Sequence, residues 1–379
     1  MKRNIFFWIC IGCLCVLSQC DYIGISDDGY NFDINESWDY STIAFLARIT
    51  DNSGEWSLCT VDKSGKDMRK IVDKTLACQK PVRSHLGTKL LFTAVKFDSW
   101  VNDDNFVEMS AEYELCIVNT DGTDLTVIER IDRTENGNFG NVAWSPDDSQ
   151  IIYVRTYDNY WNNTCLILCT MSDNTHTILQ TEGNVCSAVF SPDGKQIVYC
   201  TSVENVHHIY KMDADGNNNQ LIIENGGSPR WSPQGDKIVY SSTGQDRSSQ
   251  ISVANADGSN QKQLTSSVSP GWWDSGFGRE GNSDPQWTVD GKKIVYVSHD
   301  NEKAEIFIMN VDGSEKTRLT KAAYRDDSPE ITPGGKYILF ESVRDDMIGG
   351  VNPGICIMTI DGKNQQTLSK TGSYPVACK

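Results

Sequence analysis

The chain is poor in positive charge. Its 379 residues carry 34 Lys and Arg against 51 Asp and Glu, a formal net charge of −17. A surface of that sign has no clustered cations to neutralise phosphates, which argues against nonspecific nucleic-acid binding and against docking on an anionic bilayer. After an N-terminal apolar run, no second stretch of 18 apolar residues follows, so nothing later reads as a bilayer-spanning helix. Histidine is scarce: His85, His176, His207, His208 and His299 are scattered, with no HExxH, no histidine–carboxylate cluster and no Gly-x-Ser-x-Gly elbow. Cysteine is not scarce, but it forms no metal-ligand spacing. Nine remain after the leader and Cys20 (59, 78, 116, 165, 169, 186, 200, 356 and 378), an odd number that leaves at least one unpaired. Cys165 and Cys169 lie four apart on one strand, roughly 13 Å at strand rise, too far to bridge each other.

What is present is a repeat. Arg230 to Thr265 reads as four short strands: Arg230–Ser232, Lys237–Ser241, Ile251–Asn255 and Lys262–Thr265. Ser232-Pro233-Gln234-Gly235 turns the first into the second, Pro pre-setting the first central position and Gly ending the turn without steric cost. Ile238-Val239-Tyr240 is apolar on consecutive residues, as in a strand covered on both faces, and Asp257-Gly258 makes a hairpin turn. Aligning the copies gives one aromatic slot in the second strand, filled by Phe45, Phe92, Tyr153, Tyr199, Tyr240, Tyr296 and Phe340. The spacings are 47, 61, 46, 41, 56 and 44 residues, and four strands at that period make a propeller blade. The expected fold is therefore all-β: one domain, a seven-bladed β-propeller of four-stranded antiparallel blades over residues 38–379. Cys59, Cys116 and Cys356 fill the third-strand slot held elsewhere by Tyr210 and Phe307, and read as small buried hydrophobes.

The ends of the chain complete this picture. Residues 1–20 form an export leader, Lys2 and Arg3 preceding an apolar run, and residues 21–37 form a polar tether. Thr42–Ala47 matches the second strand of the unit, so its first strand is missing. Ser373-Tyr374-Pro375-Val376-Ala377-Cys378 resembles Gly227-Ser228-Pro229-Arg230-Trp231-Ser232. The C-terminal segment is therefore expected to supply the innermost strand of the first blade, closing the ring and removing two free sheet edges.

Trp144-Ser145-Pro146-Asp147, Phe190-Ser191-Pro192-Asp193-Gly194 and endings such as residues 306–320 resemble the WD-like repeat of the TolB type. The resemblance covers nearly the whole chain after the leader and implies the fold. TolB itself carries an α/β domain ahead of a six-bladed ring and works with a peptidoglycan-associated lipoprotein. Here there is no room for that domain before Thr42 and seven units are counted, so a Tol-system role does not follow. Leu17-Ser18-Gln19-Cys20 resembles the lipoprotein box, which implies acylation of Cys20 and a membrane-anchored lipoprotein of the bacterial envelope, facing the periplasm or the outer membrane. Gln19 departs from the usual Gly, Ala or Ser, and an ordinary secretory leader is the alternative. Seven-bladed pectate-degrading lyases bear metal-binding histidines; only the lone His85 stands near that position.

In a four-stranded meander the first-to-second and third-to-fourth turns share one end of the ring. All the tight Ser-Pro-x-Gly and Asp-Gly turns fall there. Every long segment falls at the other end: Lys96–Glu114, Arg155–Thr164, Ser266–Asp284 and Ser342–Gly354. A scaffold that keeps one end minimal and elaborates the other is presenting the second. Those segments hold Trp100, Tyr157, Tyr160, Trp161, Trp272, Trp273, Asp274, Phe277 and Arg344, aromatics beside polar groups as in a sugar or peptide site; packing of these rings onto the blades is the competing reading. Asp103-Asp104, Asp326-Asp327 and Asp345-Asp346 lack the spacing of a dedicated calcium loop. The expectation is a monomeric, non-catalytic scaffold with no cofactor or metal, which binds an envelope protein or a glycan and meets the membrane only through its lipid. The rival is a carbohydrate lyase or hydrolase using carboxylates on the same face.

Overall fold

The computed structural model describes residues 42–48, 56–62, 64–72, 76–77, 81–101, 107–132, 135, 137–157, 163–203, 206–243, 248–266, 281–299, 303–322, 325–343 and 353–378. Residues 48, 56, 76–77, 97–101 and 107–110 are described in backbone alone. The described residues contain no helix. Seven antiparallel sheets follow one another around a ring. The first strand of each touches the first strands of its two neighbours, so these seven strands line the axis.

Blade 1 is shared between the two ends of the described chain. Ser373–Cys378 is its innermost strand, followed by Thr42–Arg48, Trp56–Asp62 and Arg69–Val72. Thr42 pairs with Cys378, Ile43 with Ala377 and Ala44 with Val376, as the sequence alignment predicts. Blades 3 to 7 each run inward to outward in chain order. Blade 2 departs from the others. Its inner strand is broken into Leu76–Ala77 and Val82–Arg83, both paired to Lys89–Val101. Where a long loop was expected, Lys96–Glu114, the described residues instead continue the ladder: pairing runs without a shift from Lys89 and Asn119 to Val101 and Val107. The alternation of polar and apolar residues through it is what a two-faced strand requires.

The seven aromatic slots explain the repeat. Each ring is buried, with 3% exposure or less. Buried apolar side chains fall into seven clusters, one at each interface between neighbouring blades. In each, the slot aromatic of one blade reaches toward the blade before it, while residues one position away face the blade after. Ile151 and Tyr153 pack on blade 2, for example, and Ile152 and Val154 on blade 4. A second strand must therefore be apolar on both faces, and each blade shields its neighbours as well as itself. The slot residue lies opposite Cys59, Cys116, Ile167, Tyr210, Ser252, Phe307 or Cys356 in the third strand. Where the partner is aromatic the rings stack or tilt together, Tyr199 on Tyr210 at 5.4 Å and Tyr296 on Phe307 at 5.8 Å. Where it is cysteine, the small thiol leaves room for a phenylalanine: Cys59, Cys116 and Cys356 are all buried and unbridged.

Indole N–H groups add links between blades. Trp144 Nε1 donates to the Val82 carbonyl and Trp287 Nε1 to that of Arg230, each at 3.2 Å.

Candidate functional site at the long-connection end

The short-turn end is chemically satisfied within itself. In Ser145-Pro146-Asp147 the Ser145 hydroxyl donates to Asp147 Oδ1 at 2.7 Å and accepts the Gln150 N–H at 2.9 Å. Blades 4 and 6 repeat this through Ser191 with Asp193 and Thr288 with Asp290. Donation from Ser145 and Ser149 holds the Asp147 carboxyl down at about 2. The residue closing each such turn sits at positive φ, Gly235 at 73° and Asp148 at 58°, backbone that glycine adopts without strain. His85 belongs to this end too: its N–H and that of Leu86 donate to the Asp148 carboxylate of blade 3 at 2.6 and 2.9 Å. These groups bond one another and leave few free to engage a ligand.

The opposite end is built differently. In blades 5, 6, 7 and 1 the innermost strand carries a bulge in which a residue and the proline after it together oppose the slot aromatic: Ser228-Pro229, Asp284-Pro285, Ser328-Pro329 and Tyr374-Pro375. The residue before the proline has φ between 49° and 56° in all four. Such backbone is uncommon outside glycine, and a bulge re-aims the side chain it carries. Ser228, Asp284 and Tyr374 are exposed and Ser328 partly so. They lie on innermost strands, near the end where the blade-to-blade connections arrive.

Carboxylates from two blades converge beside these bulges. Arg325 Nε lies 2.7 Å from Asp327 Oδ2, yet the Asp327 carboxyl is pushed up to about 7. Burial outweighs the arginine, and the negative charges of Glu341, Asp284 and Asp326 act in the same direction as burial. Glu341 is also raised, chiefly by burial, against hydrogen bonds that favour its charged form. One of those is the Tyr374 N–H, which donates to Glu341 Oε1 at 2.9 Å and ties the ring-closing strand to blade 7. A carboxyl titrating near neutrality beside an exposed aspartate can donate or accept a hydrogen bond or a proton. No group of three His, Cys, Asp or Glu residues suited to hold a metal ion occurs among the described residues.

The family model for the TolB beta propeller domain matches residues 36–268 and 98–375, nearly the whole ring. The chain belongs to the TolB β-propeller family. An uncharacterised protein of Agrobacterium fabrum is 29% identical over 163 residues, covering 39% of this chain and 52% of its own. The chain spans about half the length, or less, of the curated relatives it matches. Among solved structures, TolB from Acinetobacter baumannii superposes with a TM-score of 0.51 at 18% identity, over 92% of this chain and 88% of that one. An oligogalacturonate lyase from Vibrio parahaemolyticus gives 0.60 at 14% identity, over 83% and 90%. At such identities these likenesses describe the fold.

Of the residues expected at the site of this TolB-type ring, two fall within the description. Trp100 lies in the long blade 2 strand, described in backbone alone. Tyr157 follows the second strand of blade 3 and is 39% exposed. The Arg155 guanidinium sits over its ring at 5.0 Å, and its hydroxyl accepts from the Cys165 thiol at 3.5 Å. Arg155 is itself engaged by Glu129 and Glu135, so Tyr157 is braced against blade 3 with one face open. Tyr160, Trp161, Trp272, Trp273, Asp274, Phe277 and Arg344 lie outside the described residues, as does Cys20. The bulge residues went unread in the sequence. Their signal was available: a proline two or three positions before the end of the first strand, at 229, 285, 329 and 375, where a ladder donor is missing and a bulge is the usual accommodation.

Proposed function

We propose that this chain is a lipid-anchored protein of the bacterial envelope that binds a protein or a glycan at the long-connection end of its ring and catalyses no reaction on it. The observation that supports this is the contrast between the two ends. One is closed by turns whose polar groups satisfy each other; the other carries exposed Ser228, Asp284 and Tyr374 on the bulged backbone of the innermost strands. Polar side chains on rigid strands, next to connections carrying Trp272, Trp273 and Tyr157, suit a ligand that needs both stacking and orientation. Residues 1–20 act as the leader and Cys20 as the acylated residue, with 21–37 as tether.

Screening the leaderless protein on a glycan array, beside an envelope pull-down, tests the reading. Replacing Trp272 and Trp273 together by alanine should abolish capture while leaving the melting temperature nearly unchanged. A large drop in melting temperature would make these rings packing residues and remove them from the site. Labelled fatty acid should be incorporated by the full chain and not by its Cys20→Ala variant.

One observation favours a second reading, a carbohydrate-active enzyme. Asp284 and Asp327 come from different blades, and Asp327 titrates near 7, within the range of a general acid. Turnover of an oligosaccharide that is lost in Asp327→Asn, with binding retained, would establish that reading over the first.

A further inference from the structure

The innermost strand of blade 4, Asn184–Phe190, carries its bulge at a different place from blades 5, 6, 7 and 1. Val185 pairs with Thr201 and Ser187 with Cys200, which leaves Cys186 as the additional residue, set against Cys200 on the second strand. A bulge of this kind places two residues opposite one, so Cys186 and Cys200 face each other across a single strand spacing, about 4.5–5.5 Å between Cα atoms. That lies inside the span a disulfide bridges. The third strand adds a histidine to the same face. Ser202 pairs with His207, and Cys200 lies two residues from Ser202, so His207 and Cys200 emerge on one side of the sheet. Blade 5 covers this side with glycines. A Cβ at Gly227 would stand 3.7 Å from the Cys200 sulfur and 3.6 Å from His207 Cβ, and the Cys200 thiol donates to the Gly226 carbonyl at 3.8 Å. Cys186 and His207 are exposed while Cys200 is buried.

We propose that Cys186 is a reactive thiolate and that it forms a reversible disulfide with Cys200 in exchange with small organic disulfides. The Cys186 thiolate attacks one sulfur of the incoming disulfide, forming a mixed disulfide and releasing one thiolate, which takes the His207 imidazolium proton. Cys200 then attacks the Cys186 sulfur. It expels the second thiolate, to which its own proton passes. Two protein thiols are oxidised to one disulfide and the incoming disulfide is reduced to two thiols.

The surroundings favour this division of labour. The neighbouring Cys200, and then His207, favour the charged form and hold the Cys186 thiol down at about 5, and Cys186 in turn raises His207; Cys186 Sγ also lies 3.6 Å from the Asn184 carbonyl. Cys200 is driven upward by the neighbouring thiolate and by burial, and stays protonated until it is needed. The flanking inner strands, Phe139–Trp144 and Gly226–Trp231, bring no carboxylate and no thiol, and Arg230 is their single ionisable side chain. Behind them on blade 3, Arg155 is engaged by Glu129 and Glu135, and burial raises the thiols of Cys165 and Cys169. Cys59, Cys116, Cys356 and Cys378 are buried. Among the described thiols, Cys186 is thus the exposed one from which the exchange starts.

The test uses the purified protein with peptide mapping by mass spectrometry. Iodoacetamide should label Cys186 at least tenfold faster than any other described cysteine. That rate should hold from pH 8 down to pH 6 and fall as pH drops through about 5, whereas in His207→Asn it should already fall between pH 8 and 7. Oxidised glutathione should convert the wild-type protein to a Cys186–Cys200 disulfide that dithiothreitol reverses. In Cys200→Ser, one glutathione should remain attached at Cys186, and Cys186→Ser should take up none there. Labelling of Cys186 no faster than of the buried thiols overturns the proposal. So does a stable glutathione adduct in the wild-type protein, because Cys200 would then have failed to resolve it. The wild-type measurements stand even if a variant fails to fold.

Discussion

Blades 5, 6, 7 and 1 form a regular half of the ring, and blades 2, 3 and 4 an irregular one. Both halves keep the buried slot aromatic facing the preceding blade. They differ at the innermost strand. The regular half repeats the residue-proline bulge four times. The irregular half has a broken strand in blade 2, a bulge at Gly140-Asn141 in blade 3 and Cys186 in blade 4. An interface between blades tolerates little change, since a buried ring has no alternative place to go. At the innermost edge the backbone varies while the slot aromatics stay buried in both halves. Function is expected where variation is cheap and side chains are exposed.

The largest effect should come from the shared feature. Phe340→Ala in the regular half and Phe92→Ala in the irregular half should each lower unfolding stability by about 3–5 kcal/mol, read from denaturant midpoints at unchanged m-value. A cost for Phe92 less than half that for Phe340 would mean that the broken inner strand of blade 2 has loosened its core as well.

A middling effect belongs to the carboxylates of blades 6 and 7. The folded-state pKa of Asp327 is raised from 3.8 to about 7, so its contribution to stability is full below pH 4 and is lost as pH rises through 7. Asp327→Asn should flatten the stability profile over that interval, by a few kcal/mol at most, because each tenfold change in proton affinity is worth roughly 1.4 kcal/mol. Parallel profiles for the two proteins would show that the carboxyl is solvated and titrates like an ordinary aspartate. The charges of Arg325, Glu341, Asp284 and Asp326 all act on it, the arginine lowering its proton affinity and the three carboxylates raising it.

The smallest effect concerns the bulge backbone. Asp284 holds φ near 49°, a conformation glycine adopts freely. Asp284→Gly should therefore raise stability by about 1 kcal/mol while weakening ligand capture. A loss of stability would instead make the Asp284 side chain part of the scaffold.

How much of this was legible in the sequence follows the same division. The slot aromatics were readable because a residue buried between two blades must be large and apolar every time. The turns were readable because the positive φ of a tight turn favours Gly, as at 235 and 258. Residues 373–378 were placed because Tyr374-Pro375 copies Ser228-Pro229 and blade 1 lacked a first strand. Blade 2 was misjudged in the segment 96–114. It was read as a long connection, yet Lys96, Glu112, Glu114 and Arg130 form a ladder of ion pairs on one face of three neighbouring strands. The convergence of Asp284, Asp327 and Glu341 was invisible, because it depends on how two blades splay around the axis and no local spacing encodes it. The Cys186, Cys200 and His207 grouping was hidden for the same reason: a single inserted residue sets the register that brings them together.

The strand that closes the ring has a consequence for how the protein is made. Residues 373–378 leave the ribosome after every other strand of the propeller, so blade 1 waits with one edge unpaired until synthesis of the rest is done. Exported N-terminus first, as proposed above, such a chain would remain an open arc during passage and lock into a circle only on the far side.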